Sequence, residues 1–203
     1  TWLANFGQSV RRIDGAIKAI KAVISDSSFT SGANFGYGYW NSGEGNNSNK
    51  VQNTSAAGHT EAGYYCHKLH DDCDYYRGWS GSHPDGTSAL CNVNSCLMVG
   101  VHKEGYTKIG AALSATDLAW GTDANAFSEL AYEYFSDPSH EVIDETAKDC
   151  QLNYVIVISD GAWTHSDISE PLIDSLRTDH KVKTLVVAYG GGIKGSSLDR
   201  YER

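Results

Sequence analysis

The spacing of apolar residues divides this chain into regular segments at both ends and an irregular middle. Near the N-terminus, apolar residues recur every three or four positions, which predicts an amphipathic helix: Val10, Ile13, Ile17, Ile20 and Ile24. The segment Asn34–Trp40 that follows is aromatic and interrupted by glycines. This composition predicts a strand against which another segment packs closely.

Regular patterning returns at Thr107. Apolar spacing predicts one helix from Thr107, a second around Phe127, a short third within 138–148, and a fourth around Leu172 with Pro171 in an early turn. Uninterrupted apolar runs at 154–158 and 182–189 predict strands. Because these runs do not alternate, we expect both of their faces to be covered, as in a parallel sheet between helices.

The order of these elements predicts the class of fold. Strands that alternate with helices indicate an α/β protein with a doubly wound, mostly parallel sheet flanked by helices, of Rossmann type. Such a sheet normally begins with a strand, whereas the first element here is a helix. We therefore expect a further strand upstream of Thr1.

The middle of the chain, residues 41–104, has little periodicity apart from the short apolar piece Leu97–Val101. This stretch is too long for an ordinary connection, so we interpret it as a loop-rich insertion within a single domain of residues 1–203. A stretch rich in Gly, Ser, Asn and Tyr buries little, which favours disulfides and an oxidising compartment over reduced thiols. The odd number of cysteines leaves one thiol free or paired outside the chain; the candidates are Cys66, Cys73, Cys91, Cys96 and Cys150.

The charge balance narrows the classes of partner. The net charge is −9 and no basic block occurs, so nucleic acid and anionic membrane surfaces are poor partners, whereas cations are suitable ones. No apolar run approaches the roughly 20 residues of a membrane span. No signal peptide or initiator methionine is present, which predicts a mature or trimmed product.

The first strand of the C-terminal third ends abruptly in a carboxylate, Asp160, which is followed by Gly161. Ligands of open parallel sheets gather at the carboxyl ends of the strands, so Asp160 is a candidate ligand-binding residue. The alternative is an ordinary turn aspartate before a glycine.

Four segments, in order along the chain, resemble von Willebrand factor A domains. Gly105–Leu113 resembles their G-x-T-x-I-x-x-A-L segment and Val155–Gly161 their strand-S/T-D-G segment, while Arg12–Lys18 and Phe35–Asn41 are similar to their first helix and second strand. The resemblance implies that Thr107 and Asp160 are the second and third elements of a metal-ion-dependent adhesion site. Hard oxygen ligands of this kind suit Mg²⁺, Mn²⁺ or Ca²⁺.

The first element of that adhesion site is a D-x-S-x-S motif at the end of the first strand, which is the strand that this chain lacks. Residues 26–30 fit the motif superficially, but they follow a helix. We interpret them as a helix-exit loop.

A sharper resemblance covers Cys150–Gly161, which looks like the C-Q-x-N-[YF]…D-G signature of PilC/PilY proteins, the tip adhesins of type IV pili. It implies a secreted, disulfide-containing adhesion module at the pilus tip that binds a host or surface protein or glycan with Mg²⁺ or Ca²⁺. It also implies minor pilins as partners and no enzymatic activity. The alternative is a structural or pilus-assembly module whose metal site is degenerate.

Other clusters support weaker hypotheses. His67 and His70 lie between Cys66 and Cys73, which is compatible with a zinc hydrolase, although a disulfide among polar residues is the preferred interpretation. The glycines at 190, 192 and 195 match a dinucleotide fingerprint without its following helix and strand, and no G-x-S-x-G elbow occurs. Aromatic residues form either a ligand surface or the packing of a sparse region: Tyr37, Tyr39, Trp40, Tyr75, Tyr76 and Trp79.

Overall fold

A computed structural model of the chain describes residues 12–40, 63–65, 74–76, 95–115, 123–159 and 163–188. The helices are α1 (Arg12–Ile24), α2 (Ser27–Thr30), α3 (Gly105–Ala115), α4 (Ala124–Ser136) and α5 (Ser166–Asp179), with a 3₁₀ turn at Pro138–His140. The strands are β1 (Phe35–Trp40), β2 (Gly63–Tyr65), β3 (Asp74–Tyr76), β4 (Ser95–His102), β5 (Asn153–Ser159) and β6 (Val182–Ala188). None of the helices in these ranges combines the length and the apolar character that crossing a membrane requires.

The described strands form three two-stranded sheets. β1 runs antiparallel to β4, with Phe35 opposite His102 and Trp40 opposite Ser95. β5 runs parallel to β6 in unbroken register from Asn153 opposite Val182, and β2 and β3 form a short antiparallel pair. The chain is therefore a mixed α/β protein, as the alternation of strands and helices predicted.

Helices cover both faces of the β1–β4 pair. On one face, Ile17, Ile20 and Ile24 of α1 join Ile109 and Leu113 of α3 against the sheet, where Met98 and Val99 of β4 are fully buried. On the other face, α4 packs against Leu97 through Tyr134, whose hydroxyl accepts a hydrogen bond of 2.7 Å from the backbone N–H of Val101.

A close approach fixes the start of α3. A Cβ atom built on Gly105 would lie 1.8 Å from the carbonyl oxygen of Phe35, so only glycine lets this helix begin against β1. The first turn of α3 is thereby anchored at the beginning of β1.

The helices that the structure describes cover one face of the β5–β6 pair. Its inner face packs on α4 and α5 through Val155, Val157, Val182 and Val186. On its outer face Tyr154, Ile156, Leu185 and Val187 are 43–60% exposed. Of the two faces that were expected to be covered, the described helices cover the inner one, because α4 and α5 both pack on that side.

Three further details differ from the sequence-based expectations. Ser95–His102, placed within the insertion, is β4, a core strand whose Met98 is completely buried. Pro171 lies early in α5, as predicted, but in the second turn of a helix that begins at Ser166, where its missing N–H does leave a helical hydrogen bond unmade. The short helix expected within 138–148 is only the 3₁₀ turn, since the left-handed Glu141 (φ 50°) ends it.

Candidate ligand-binding edge

The carboxyl end of β5 marks the candidate site. β5 ends at Ser159, which is 6% exposed and lies opposite Ala188 of β6. The next residue that the structure describes is Trp163, which is also 6% exposed and lies three positions before the start of α5. Asp160, the predicted metal ligand, falls between these two anchored points and outside the described residues.

The N-termini of α4 and α5 meet close to Trp163. Asp123 is the N-cap of α4, where its carboxylate accepts a hydrogen bond of 3.0 Å from the backbone N–H of Asn125. The next backbone N–H, of Ala124, donates to the carbonyl oxygen of Thr164 at 3.1 Å, and Asp123 and Thr164 form a parallel β-bridge. The start of α4 is therefore joined through its backbone to the segment that leads into α5.

A side-chain contact strengthens the same junction. His165 Nδ1 lies 3.1 Å from Asp123 Oδ1, and the two side chains are 41% and 11% exposed. A hydrogen bond in this contact has Nδ1–H as the donor, because an ionised carboxylate only accepts hydrogen bonds. The contact thus orients a partly exposed imidazole at the edge of the sheet.

His165 adopts an unusual backbone conformation. Its φ of 54° and ψ of 36° are left-handed, and its side chain makes no capping hydrogen bond to α5. A non-glycine residue with positive φ is uncommon, although histidine tolerates it better than bulky residues. Two contacts hold His165 in place. The preceding residue, Thr164, forms the β-bridge with Asp123, and the side chain of His165 itself contacts the Asp123 carboxylate.

Aromatic rings form the floor beneath this edge. Phe127 of α4 lies between Trp40 at the end of β1, with ring centroids 5.3 Å apart, and Trp163 at the start of the α5 segment, at 5.0 Å. Tilted and edge-on arrangements at these distances are the favoured ones for aromatic pairs. They place the end of β1, the start of α4 and the exit of β5 on the same side of the molecule.

Thr107, the second predicted metal ligand, lies elsewhere. It is exposed in the first turn of α3, where its hydroxyl donates a hydrogen bond of 2.7 Å to the carbonyl oxygen of Glu104. That turn is anchored at Phe35, the first residue of β1, whereas the aromatic floor begins at Trp40, the last. At about 3.3 Å per residue, the two ends of β1 are roughly 17 Å apart. The structure therefore does not bring Thr107 to the edge where β5 ends.

The other candidate residues fall into three groups. Among the cysteines, Cys150 is exposed with a free thiol, and Cys96 lies in β4. Tyr37, Tyr39 and Trp40 pack against core clusters, which favours the packing interpretation for these three aromatic residues. Tyr75 and Tyr76 form part of β3; the remaining candidates lie outside the described residues: Cys66, His67, His70, Cys73, Trp79 and Cys91.

The superficial D-x-S-x-S segment has a local structural role. Asp26 is the N-cap of α2, and its carboxylate accepts hydrogen bonds from the backbone N–H and the hydroxyl of Ser28, at 2.9 and 2.7 Å. The side-chain hydrogen bond from Ser28, followed by the backbone one, lowers the pKa of Asp26 below its ordinary value. These contacts agree with its interpretation as part of a helix-exit loop.

The Asp123–His165 pair was not among the sequence-based candidates. Asp123 carries a weak signal, because an aspartate immediately before an apolar helical pattern is a typical N-cap. His165 carries none, since its partner lies 42 positions away along the chain.

The described residues do not form a cation cage by themselves. Within the described ranges, no three His, Cys, Asp or Glu side chains are grouped so that they could hold a metal ion. At the edge, they supply the carboxylate of Asp123, which already accepts from Asn125 and contacts His165. Mg²⁺ and Ca²⁺ require six or more oxygen ligands, counting waters.

No protein-family model, no curated protein and no solved structure matches this chain.

Proposed function

We propose that this chain is a von Willebrand A-type domain that acts as an extracellular adhesion module, similar to the type IV pilus tip adhesins that its sequence resembles. In this proposal the module binds a protein or glycan through a divalent cation at the carboxyl edge of β5. Asp160 is the direct protein ligand of the cation. The observation that carries the proposal is the convergence of the β5 exit with the N-termini of α4 and α5 at one edge of the molecule.

The arrangement of the strand pairs supports the finer fold assignment. The antiparallel β1–β4 pair and the parallel β5–β6 pair share the helix α4, which packs on Leu97 of one pair and, through Phe127, near Val157 of the other. One additional strand between β1 and β5 would join the two pairs into a doubly wound sheet. We expect the upstream strand, which the resemblance says carries the D-x-S-x-S motif, to take that place.

The position of Thr107 changes its expected role. Because α3 begins at the opposite end of β1, the proposal assigns no direct metal contact to the Thr107 hydroxyl. Asp160 and Thr107 can therefore be tested separately, although the sequence resemblance pairs them.

Calorimetric titration with Ca²⁺ and with Mg²⁺ tests the proposal, on a chain extended upstream to include the expected D-x-S-x-S strand. Extracellular cation modules bind with dissociation constants on the order of 10⁻⁴–10⁻³ M, and we expect binding in this range. Asp160→Ala should weaken it at least about tenfold, whereas Thr107→Ala and the distant control Asp26→Ala should leave it unchanged. If Asp160→Ala binds the cation as tightly as the wild type does, the proposed metal site is wrong.

A second candidate function is a structural or assembly module, and one observation favours it. The apolar outer face of β5–β6 is a feature of proteins that are built into larger assemblies. If cation binding is absent while a substitution on that face abolishes association with a partner, the structural role is preferred.

A further inference from the structure

We propose that Asp123 and His165 form a general-base dyad that hydrolyses neutral carboxylic esters with an apolar acyl group. His165 is the catalytic residue, and Asp123 is a positioning residue that acts through it. This activity goes beyond the proposed adhesion function, and it uses neither the cation nor Asp160.

The imidazole of His165 is held at one nitrogen and open at the other. Nδ1 lies 3.1 Å from Oδ1 of Asp123, and Nδ1–H is the donor of the hydrogen bond in this contact. In the neutral ring Nε2 then carries the free lone pair, and among the residues that the structure describes only Asp123 bonds to the imidazole. An imidazole that is oriented by a carboxylate and has one free nitrogen is the arrangement that general-base catalysis uses.

The carboxylate of the dyad is more buried than the imidazole. The side chain of Asp123 is 11% exposed, whereas that of His165 is 41% exposed. The carboxylate is also fixed by the hydrogen bond that it accepts from the backbone N–H of Asn125. An anchored carboxylate therefore stabilises the imidazolium that forms when His165 takes a proton, while the ring itself stays accessible to a substrate.

The backbone of His165 is also typical of a functional position. Its φ of 54° and ψ of 36° are left-handed, a conformation that glycine adopts without strain. Other residues in this region cost about 1–3 kcal/mol and cluster at active sites, where surrounding contacts hold them. The bridge between Thr164 and Asp123 supplies such a contact. A histidine at a position that suits glycine points to a role for its imidazole.

The dyad lies where α/β proteins bind small molecules. β5 ends at Ser159, and Trp163, two positions before His165, packs on Phe127 of α4 with ring centroids 5.0 Å apart. Ligands of open parallel sheets bind at the carboxyl ends of the strands. The imidazole therefore stands at the edge that a substrate approaches.

The surroundings of the dyad select a neutral substrate with an apolar acyl group. Asp167 is exposed in the first turn of α5 and the net charge is −9, so the edge repels a phosphate ester. Ile168 is 48% exposed, and its backbone N–H donates to the carbonyl oxygen of His165 at 3.2 Å. An apolar side chain thus lies one turn from the imidazole, where it can contact an acyl chain.

The reaction requires only water as the second reactant. Nε2 of His165 removes a proton from a water molecule while the water oxygen bonds to the ester carbonyl carbon, and the carbonyl electron pair moves to its oxygen. The carbonyl then re-forms, the bond to the alcohol oxygen breaks, and the leaving oxygen takes the proton from Nε2–H. Asp123 accepts from Nδ1–H throughout. The products are the carboxylic acid and the alcohol, and the dyad returns to its initial state.

Hydrolysis of p-nitrophenyl butyrate, followed by the absorbance of p-nitrophenolate, tests this inference. All assays contain a chelator, so failure of the cation proposal does not affect the result. His165→Gly should lower kcat/KM at least about 10²-fold, which is the usual contribution of a general base. Glycine suits the left-handed backbone, and circular dichroism checks that the variant is folded. Added imidazole should restore part of the activity to His165→Gly, which a purely structural role of His165 would not explain.

Asp123→Asn tests the positioning role without removing the helix cap. Asparagine caps a helix about as well as aspartate, so this variant should remain folded. It should lower kcat at least about tenfold and leave KM unchanged, because it no longer orients and stabilises the imidazolium. His180→Ala is the matched control. His180 is the C-cap at the other end of α5, where it packs edge-on against Tyr132 at 5.9 Å, and its loss should leave kcat/KM unchanged.

Four results would overturn the inference. They are turnover by the wild type that is no faster than that of equimolar free imidazole, and equal turnover by His165→Gly and the wild type. A burst of p-nitrophenolate before slow turnover would show acyl transfer to the protein instead of general-base catalysis. Faster hydrolysis of p-nitrophenyl phosphate than of p-nitrophenyl butyrate would contradict the substrate class.

Discussion

Removing the carboxylate of Asp123 should weaken the junction between α4 and α5. Asp123→Ala deletes the N-cap of α4, which typically costs about 1 kcal/mol of the free energy of unfolding. It also deletes the contact with His165, which is worth at most about 1 kcal/mol because the imidazole is 41% exposed and is screened by solvent. We expect a total loss of about 1–2 kcal/mol, which is a fall in Tm of roughly 2–8 °C for a chain of this size.

Two further variants separate the contributions of Asp123. Asp123→Asn retains a good capping oxygen but removes the charge, so it should lose less than half as much as Asp123→Ala. A double-mutant cycle with His165→Ala isolates the coupling between the two side chains, which we expect to be below about 1 kcal/mol.

Thermal unfolding followed by circular dichroism measures these changes. Asp26→Ala is the comparison, since Asp26 caps α2, a four-residue helix without buried residues, and should lower Tm by less than Asp123→Ala does. The reasoning is refuted if Asp123→Ala shifts Tm by less than about 1 °C, or if Asp123→Asn is as damaging as Asp123→Ala.

Three other predictions follow from local geometry. Gly105→Ala should destabilise the chain by more than about 2 kcal/mol in urea unfolding, because the new Cβ would meet a backbone carbonyl. Gly110→Ala, in the open interior of α3, should instead stabilise the chain by about 0.5–1 kcal/mol. Equal effects of the two substitutions would contradict this reasoning. Pro171→Ala should raise the stability of α5 by about 1–3 kcal/mol, since it restores an internal helical hydrogen bond, and an unchanged urea midpoint would argue against it. NMR titration should find the pKa of Asp26 below 3.8, and Ser28→Ala should raise it. Because this pKa is lowered by folding, the stabilisation is present above the unfolded-state value and is lost as the pH falls through the folded-state value.

The sequence predicted those elements whose signal is local. The stripe Ile17, Ile20 and Ile24 and the apolar run 154–158 are complete within a few turns or one strand, and both form the expected elements. β4 was placed in the insertion because its apolar core, Leu97–Val101, is short and is preceded by a region rich in Gly, Ser and Asn. What identifies it as a core strand is its pairing with β1, which periodicity does not reveal.

The candidate site was less predictable than the fold for the same reason. Asp123 and His165 are 42 positions apart, and their contact depends on how α4 and α5 are arranged. Likewise, motif resemblance paired Thr107 with Asp160 on the basis of order along the chain, whereas Gly105 anchors the turn that contains Thr107 at the start of β1. Order along the chain does not specify which end of a sheet a helix begins at.

The two main strand pairs differ in how far apart their members lie along the chain, and this should determine when each forms during synthesis. β5, α5 and β6 occupy one contiguous stretch, Asn153–Ala188, so this unit can close as soon as it leaves the ribosome. β1 has to wait for β4, since Phe35 pairs with His102, and until then Tyr37 and Tyr39 lack their partner strand. We therefore expect the nascent chain to depend most on a chaperone between the emergence of Trp40 and that of His102. When the full-length chain refolds from denaturant, we expect pulsed hydrogen exchange to protect β5–β6 before β1–β4.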